Sequence, residues 1–148
     1  MTKHYDSLTV PATLDSLSVI ANYIKQVGIW ANLSPKKVAK LRLAVDEIAT
    51  NIIDYGYSLS QNKNVIELYA KLEASQLILW IEDTGIAYDP YQKEIPQNLD
   101  QPLEEREIGG LGIYLARLNV DQLIYERIPV KNCLNLEKNR NTFIVNLD

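Results

Sequence analysis

Apolar residues return every three or four positions through NLSPKKVAKLRLAVDEIATNIIDYGY (residues 32–57), where Val38, Leu41, Val45, Ile48 and Ile52 form one stripe. That spacing predicts an amphipathic helix. Ser34 suits its N-cap, Pro35 its first helical position and Gly56 the residue just past its end. TLDSLSVIANYIKQVGIW (13–30) repeats the pattern with Leu14, Leu17, Ile20, Ile24 and Val27, and Thr13 is the expected cap. The period then changes to two. In VIELYAKL (65–72), Ile66, Leu68, Ala70 and Leu72 alternate with Glu67, Tyr69 and Lys71, the pattern of a half-buried strand. EASQ turns the chain into LILWIED (77–83), which predicts a hairpin. Residues 4–10 read as a first strand ended by Pro11, and 120–128 and 142–147 as two last strands. Between them, 88–108 is polar, proline-containing and without period; a loop of about 20 residues in a compact domain is commonly a lid or binding loop.

The order is strand, helix, helix, strand, strand, loop, short helix, strand, strand. It predicts an α+β two-layer sandwich, with a mixed, mostly antiparallel sheet and helices on one face. At 148 residues, 1–148 is expected to be one domain. A formal charge of −4 and a pI near 5.0 argue against a phosphate-backbone binder, so no direct nucleic-acid partner is expected. Lys36, Lys37, Lys40 and Arg42 read as a solvated helix face. Cys133 is the single cysteine, which excludes an intrachain disulfide and points to a reducing compartment. No run approaches the roughly 20 apolar residues of a membrane span, and MTKHYDSLTVPATLDS lacks the apolar core of a secretory leader. The expectation is a cytoplasmic protein with no membrane partner. His4, in the first strand, is the single histidine, so a Ser-His-Asp or Cys-His arrangement would need that one residue, and a Cys/His zinc site lacks enough ligands.

Three constellations carry candidate chemistry. Glu47 and Asn51 lie four apart on the central helix, at the edge of its apolar stripe or beyond. They read either as a solvated pair or as a hard amide ligand for Mg²⁺ beside a carboxylate that orients a hydroxyl. Asp83 and Gly85 stand where an apolar strand stops. They read either as a common Asp/Gly turn or as an acceptor for an exocyclic amine beside backbone that a flat ring can approach. Gly109, Gly110 and Gly112 open the short helix in REIGGLGIYLARL (106–118). Bare N–H groups at a helix start form an anion-binding concavity; a flexible hinge is the other reading. No Gly-Lys-Ser/Thr follows, which excludes a Walker loop, and the last glycine of a dinucleotide fingerprint is missing.

In order and spacing these boxes resemble the Bergerat-fold (GHKL) ATP-binding superfamily, and most of all its small anti-sigma-factor serine/threonine kinases. Glu47 and Asn51 match the family's Glu-x-x-x-Asn motif, DTGIA (83–87) its Asp-x-Gly-x-Gly motif, and GGLGIYL (109–115) its later Gly-x-Gly motif. The resemblance covers residues 5–147. It implies ATP and Mg²⁺ as cofactors, Asn51 as the Mg²⁺ ligand and Glu47 as the catalytic base. It implies Asp83 as the reader of the adenine amine, with Gly85 and Ala87 beside the base. Gly109, Gly110, Leu111 and Gly112 would cover the phosphates, 88–108 would form the ATP lid, and Thr142 would lie near the adenine. The implied activity is phosphoryl transfer to a STAS-type anti-sigma-factor antagonist, by a protein that also binds a sigma factor and forms a homodimer. The alternative is a nucleotide-regulated anti-sigma binding module with little or no kinase activity. Three positions depart from the family pattern: Ala87 replaces a glycine, Tyr55 stands where many relatives have histidine, and no glycine precedes Thr142.

Overall fold

The computed structural model describes residues 2–56, 64–87, 89 and 110–147. Its elements run β1 (Lys3–Pro11), α1 (Ser16–Trp30), α2 (Pro35–Asn51), a π-helical segment (Ile52–Gly56), β2 (Val65–Leu72), β3 (Gln76–Asp83), α3 (Gly110–Leu118), β4 (Gln122–Pro129) and β5 (Glu137–Asn146). The strands form one sheet in the order β1-β2-β3-β5-β4. All four pairings are antiparallel, so the expected mixed character is absent among the described strands.

Period-two alternation decides which residues meet the helices. Ile66, Leu68 and Ala70 of β2, Leu77, Leu79 and Ile81 of β3, and Phe143 and Val145 of β5 share one face and are buried. Against them pack Ile20, Ile24 and Val27 of α1 and Leu41, Val45, Ile48 and Ile52 from α2 and its extension, making one core between the layers. The stripe predicted for α2 is therefore the buried one, with Val38 at its half-buried start.

The ends of the elements show what the pattern concealed. Ser34 caps α2 by accepting from Lys37 N at 3.3 Å, with Pro35 in the first turn, as expected. Thr13 does not cap α1. Its carbonyl instead accepts from Ser16 N at 3.0 Å in a turn after β1, the helix starts at Ser16, and Leu14 is left exposed. α2 ends at Asn51, and a π-helical segment rather than a clean stop carries the chain to Gly56. β5 begins five residues earlier than the predicted 142, because its first half is polar yet still pairs with β3 and β4. The predicted lid, residues 88–108, lies outside the described residues apart from Asp89.

Gly28 sets the distance between α1 and α2. A Cβ there would stand 2.5 Å from Val38 Cγ2, and a valine in a helix has little rotamer freedom with which to withdraw. Gly28→Ala is expected to destabilise the protein in urea unfolding by about 1–2 kcal/mol, the overpacking outweighing the gain in helix propensity. In a Val38→Ala background the same change should stabilise by up to about 1 kcal/mol. Additive effects in the two backgrounds would contradict this packing.

Candidate functional site

Asp83 ends β3 on the inner face and is 2% exposed. Three segments converge on its Oδ2: Gly85 N donates at 2.9 Å, Asn139 Nδ2 at 3.2 Å and Asn64 Nδ2 at 3.3 Å. Its other oxygen, Oδ1, is buried and has no hydrogen-bond partner among the described residues. Burial pushes the Asp83 carboxyl pKa up, while the three donors and nearby Arg127 pull against that shift. The rest of the turn is held as tightly. Thr84 N donates to Asn64 Oδ1 at 2.9 Å, Asn139 Nδ2 to Ile86 O at 2.7 Å, and Arg127 Nη1 to Gly85 O at 3.0 Å. Gly85 is buried in this turn and Ala87 is exposed.

On the helical layer, α3 packs against α2. At Gly112 a Cβ would stand 2.2 Å from Glu47 Oε2 and 3.1 Å from Glu47 Cδ. Any side chain at 112 would displace the carboxylate. The Glu47 carboxylate thus lies against the first turn of α3, which starts at Gly110. Its pKa is raised, first by burial and then by neighbouring Asp46. Asn51, one turn on, is buried; its Nδ2 donates to Glu47 O at 2.7 Å, which fixes the amide's orientation. Glu47, Asn51 and Gly112 are therefore brought together, and Asp83 and Gly85 form the second cluster, on the sheet. Gly109 lies outside the described residues, and of Gly110 and Leu111 only the helical backbone is described.

Thr142 is not brought to this site. It pairs with Trp80 and Ile124 on the face of the sheet turned away from the helices, where Trp80 stacks on Tyr69 at 4.9 Å. Its neighbours in the strand, Asn139 and Asn141, lie on the inner face in line with Phe143 and Val145. Successive residues of a strand point to opposite faces, so Thr142 and Asp83 lie on opposite faces of the sheet. Sequence reasoning also missed Asn64, Arg127, Asn139 and Asn141. Continuing the inward alternation back from Phe143 would have found the last two.

Residues 10–138 match the Histidine kinase-like ATPase domain family. The chain belongs to that family. Among curated proteins it is similar to the serine-protein kinase RsbW of Staphylococcus aureus, 24% identical over 125 residues, covering 82% of this chain and 79% of that one. The RsbW of Staphylococcus aureus strain JH9 is 24% identical over 119 residues, covering 78% and 75% of the two chains. Among solved structures, the fold resembles the RsbU and RsbW domains of Rv1364c from Mycobacterium tuberculosis, with a TM-score of 0.61 and 13% identity. That likeness covers 95% of this chain but 32% of the other, so this chain spans about a third of it. No helix among the described residues is long and apolar enough to cross a membrane.

A histidine kinase-like ATPase domain implies ATP, and the residues present fit it. Asp83 Oδ1, without a hydrogen-bond partner among the described residues, is an acceptor that an exocyclic amine can satisfy. Gly112 and the start of α3 supply bare backbone next to Glu47. No group of three or more His, Cys, Asp or Glu among the described residues is placed to hold a metal ion. The amide oxygen of Asn51 fits instead a cation held mainly by phosphate oxygens and water, the usual manner of Mg²⁺.

These raised carboxyl pKa values have a consequence for stability. A carboxyl that holds its proton more tightly when folded contributes stability that falls as pH rises through its ordinary range to its raised value. Glu47→Gln keeps the shape and removes the charge. Its urea midpoint should lie above the wild type at pH 8, with the gap closing toward pH 4. A Gln variant less stable than wild type at pH 8 would contradict the assigned burial of Glu47.

Proposed function

We propose that this chain is an anti-sigma factor and an ATP-dependent serine/threonine kinase acting on a STAS-type anti-sigma-factor antagonist. The reading includes a sigma factor as bound partner, a homodimer, and 88–108 as an ATP lid in one domain, 1–148. The observation that carries it is the presence, in one domain, of a buried carboxylate oxygen without a partner among the described residues, Asp83 Oδ1, and of a second carboxylate, Glu47, lodged against bare backbone at the start of α3. Membership of the ATPase domain family and similarity to RsbW serine-protein kinases support the same direction.

In this mechanism Asp83 Oδ1 accepts from the adenine amine, and the Asn64, Gly85 and Asn139 donors keep the carboxylate from rotating. Asn51 would hold Mg²⁺ through Oδ1, its Nδ2 being tied to Glu47 O. Bound ATP with Mg²⁺ supplies the phosphoryl group and neutralises the charge that its transfer develops. The backbone from Gly109 to Gly112 receives phosphate oxygens, aided by the helix dipole. Glu47 Oε2 orients the attacking hydroxyl and accepts its proton, a task for which a raised proton affinity suits it. Positioning and electrostatics carry most of the acceleration in such transfers.

Incubation with γ-labelled ATP and candidate STAS proteins tests this. Transfer to the antagonist is expected, with Glu47→Ala lowering its rate by about 100-fold or more. Asn51→Ala should remove the Mg²⁺ dependence of ATP affinity in calorimetry. Tight partner binding without transfer would favour the non-catalytic binding module instead. No binding at millimolar ATP or ADP would overturn both.

A further inference from the structure

α2 opens on lysines where a helix favours acid. Lys36 and Lys37 stand in its first turn, Lys40 follows one turn on, and no acidic residue shares that first turn. The helix dipole places positive potential there, so these cations oppose it and lower stability. Such local conflicts are expected mainly where function requires them. In a chain of net charge −4, this end of α2 is basic. Lys36, Lys40, Leu43 and Glu47 follow one another at spacings of four, three and four, so they share one side of the helix. Lys36, Lys40 and Leu43 are exposed, and Glu47 meets Gly112 of α3. The far end of α3 returns to the lysines. Leu118, 61% exposed, lines a cleft of about 150 Å³ with Lys37, Lys40, Val120 and Asp121. Two of these are tethered to the last strand: Lys37 Nζ donates to Asn146 O at 2.5 Å, and Asp121 Oδ2 accepts from Asn146 N at 2.7 Å. The cleft is smaller than the roughly 300–1,000 Å³ of small-molecule sites and suits one inserted apolar side chain.

We propose that the lysine-bearing start of α2 and the exposed end of α3 form a docking surface for an acidic segment, with one apolar anchor, of the protein that receives the phosphoryl group. This rests on the kinase reading above and assigns the surface that holds its protein substrate. Charge and position choose that occupant. Carboxylates on the incoming segment complement Lys36 and Lys40, and they also satisfy the positive end of α2 that no acidic residue of this chain meets. An apolar side chain between them enters the cleft beside Leu118 and Val120. Lys40 and Glu47 are seven residues apart on one side of α2, roughly 10 Å along its axis. A folded antagonist held at Lys40 and Leu118 spans that distance and presents its hydroxyl to Glu47. The surface contributes affinity for the protein substrate and takes no part in the transfer itself, so it acts on KM for the antagonist and leaves kcat and nucleotide affinity alone.

The test uses the full chain with the STAS antagonist that accepts label in the transfer assay above. The double variant Lys36→Glu/Lys40→Glu should raise KM for the antagonist by roughly tenfold or more at low salt, a gap that narrows as salt rises. Leu118→Ala should raise it by roughly fivefold at every salt concentration, as expected for a lost apolar contact. Both should keep kcat and ADP affinity within about twofold of the wild type. The double variant should melt at or above the wild type's temperature, because Glu suits the start of a helix; a purely structural role for the lysines would lower it. Unchanged KM in the double variant overturns the proposal, as does a fall in kcat or ADP affinity in place of the rise in KM. Duplex DNA bound by the wild type and lost in the double variant, with KM unchanged, would assign the lysines to nucleic acid instead. Each of these results leaves the kinase reading standing. Neither transfer to nor binding of any STAS protein by the wild type would overturn that reading and this proposal together.

Discussion

One carboxylate, half satisfied, organises the sheet side of this molecule. Asp83 Oδ2 gathers donors from the residue before β2, the turn after β3 and the start of β5, so the ends of three adjacent strands are tied at a single atom. Oδ1 is left buried with no hydrogen-bond partner among the described residues. Folding usually avoids such a group, because an unmet buried acceptor forfeits its hydration without return. Its retention makes sense where a ligand completes the set, and where some stability is given up to keep a site ready. Arg127 and Asn139 add to this by fixing the turn from the β4 and β5 side, so the carboxylate is held rigidly before anything binds.

The helical side follows a parallel logic with different chemistry. α2 is anchored by its apolar stripe, which fixes the rotation that brings Glu47 against α3 and buries Asn51. The lack of a side chain at Gly112 is what lets a carboxylate sit against the first turn of α3. Burial there, and after it the neighbouring Asp46, raises the proton affinity of Glu47. The outer face of the sheet carries separate chemistry. Glu82 is buried there, paired with Lys138 and Arg140 and hydrogen-bonded by Tyr69, so its charge is compensated within the strands. That contrast sharpens the case for Asp83, whose neighbours leave it incomplete.

Where apolar and polar positions contrast, the sequence was transparent. The stripe from Val38 to Ile52, the alternation from Ile66 to Leu72 and the Ser34–Pro35 start each map onto an observed element. The Glu47/Asn51 and Asp83/Gly85 boxes were legible because their spacing within single elements already fixes their geometry. Legibility failed where a strand turns polar to serve the site. Glu137–Asn141 reads as a loop, because asparagines stand on the inner face where hydrocarbon is expected. The same ambiguity hid that Thr142 faces away from the helices and Asn141 toward them, since a strand's register cannot be fixed without knowing its partner. Asn64 acts across 19 residues of chain on Asp83 and has no local signature. The need for glycine at 112 was visible, but its nearest cause, Glu47, lies 65 residues away on another helix.

The most direct measurement is a crystal structure of the chain with an unhydrolysable ATP analogue and Mg²⁺. The account predicts the adenine amine within about 3 Å of Asp83 Oδ1, with Oδ2 still bound to Gly85 N and the phosphates over the start of α3. A nucleotide bound elsewhere, or a protein group bonded to Asp83 Oδ1 while the base lies outside the inner face of the sheet, would contradict it.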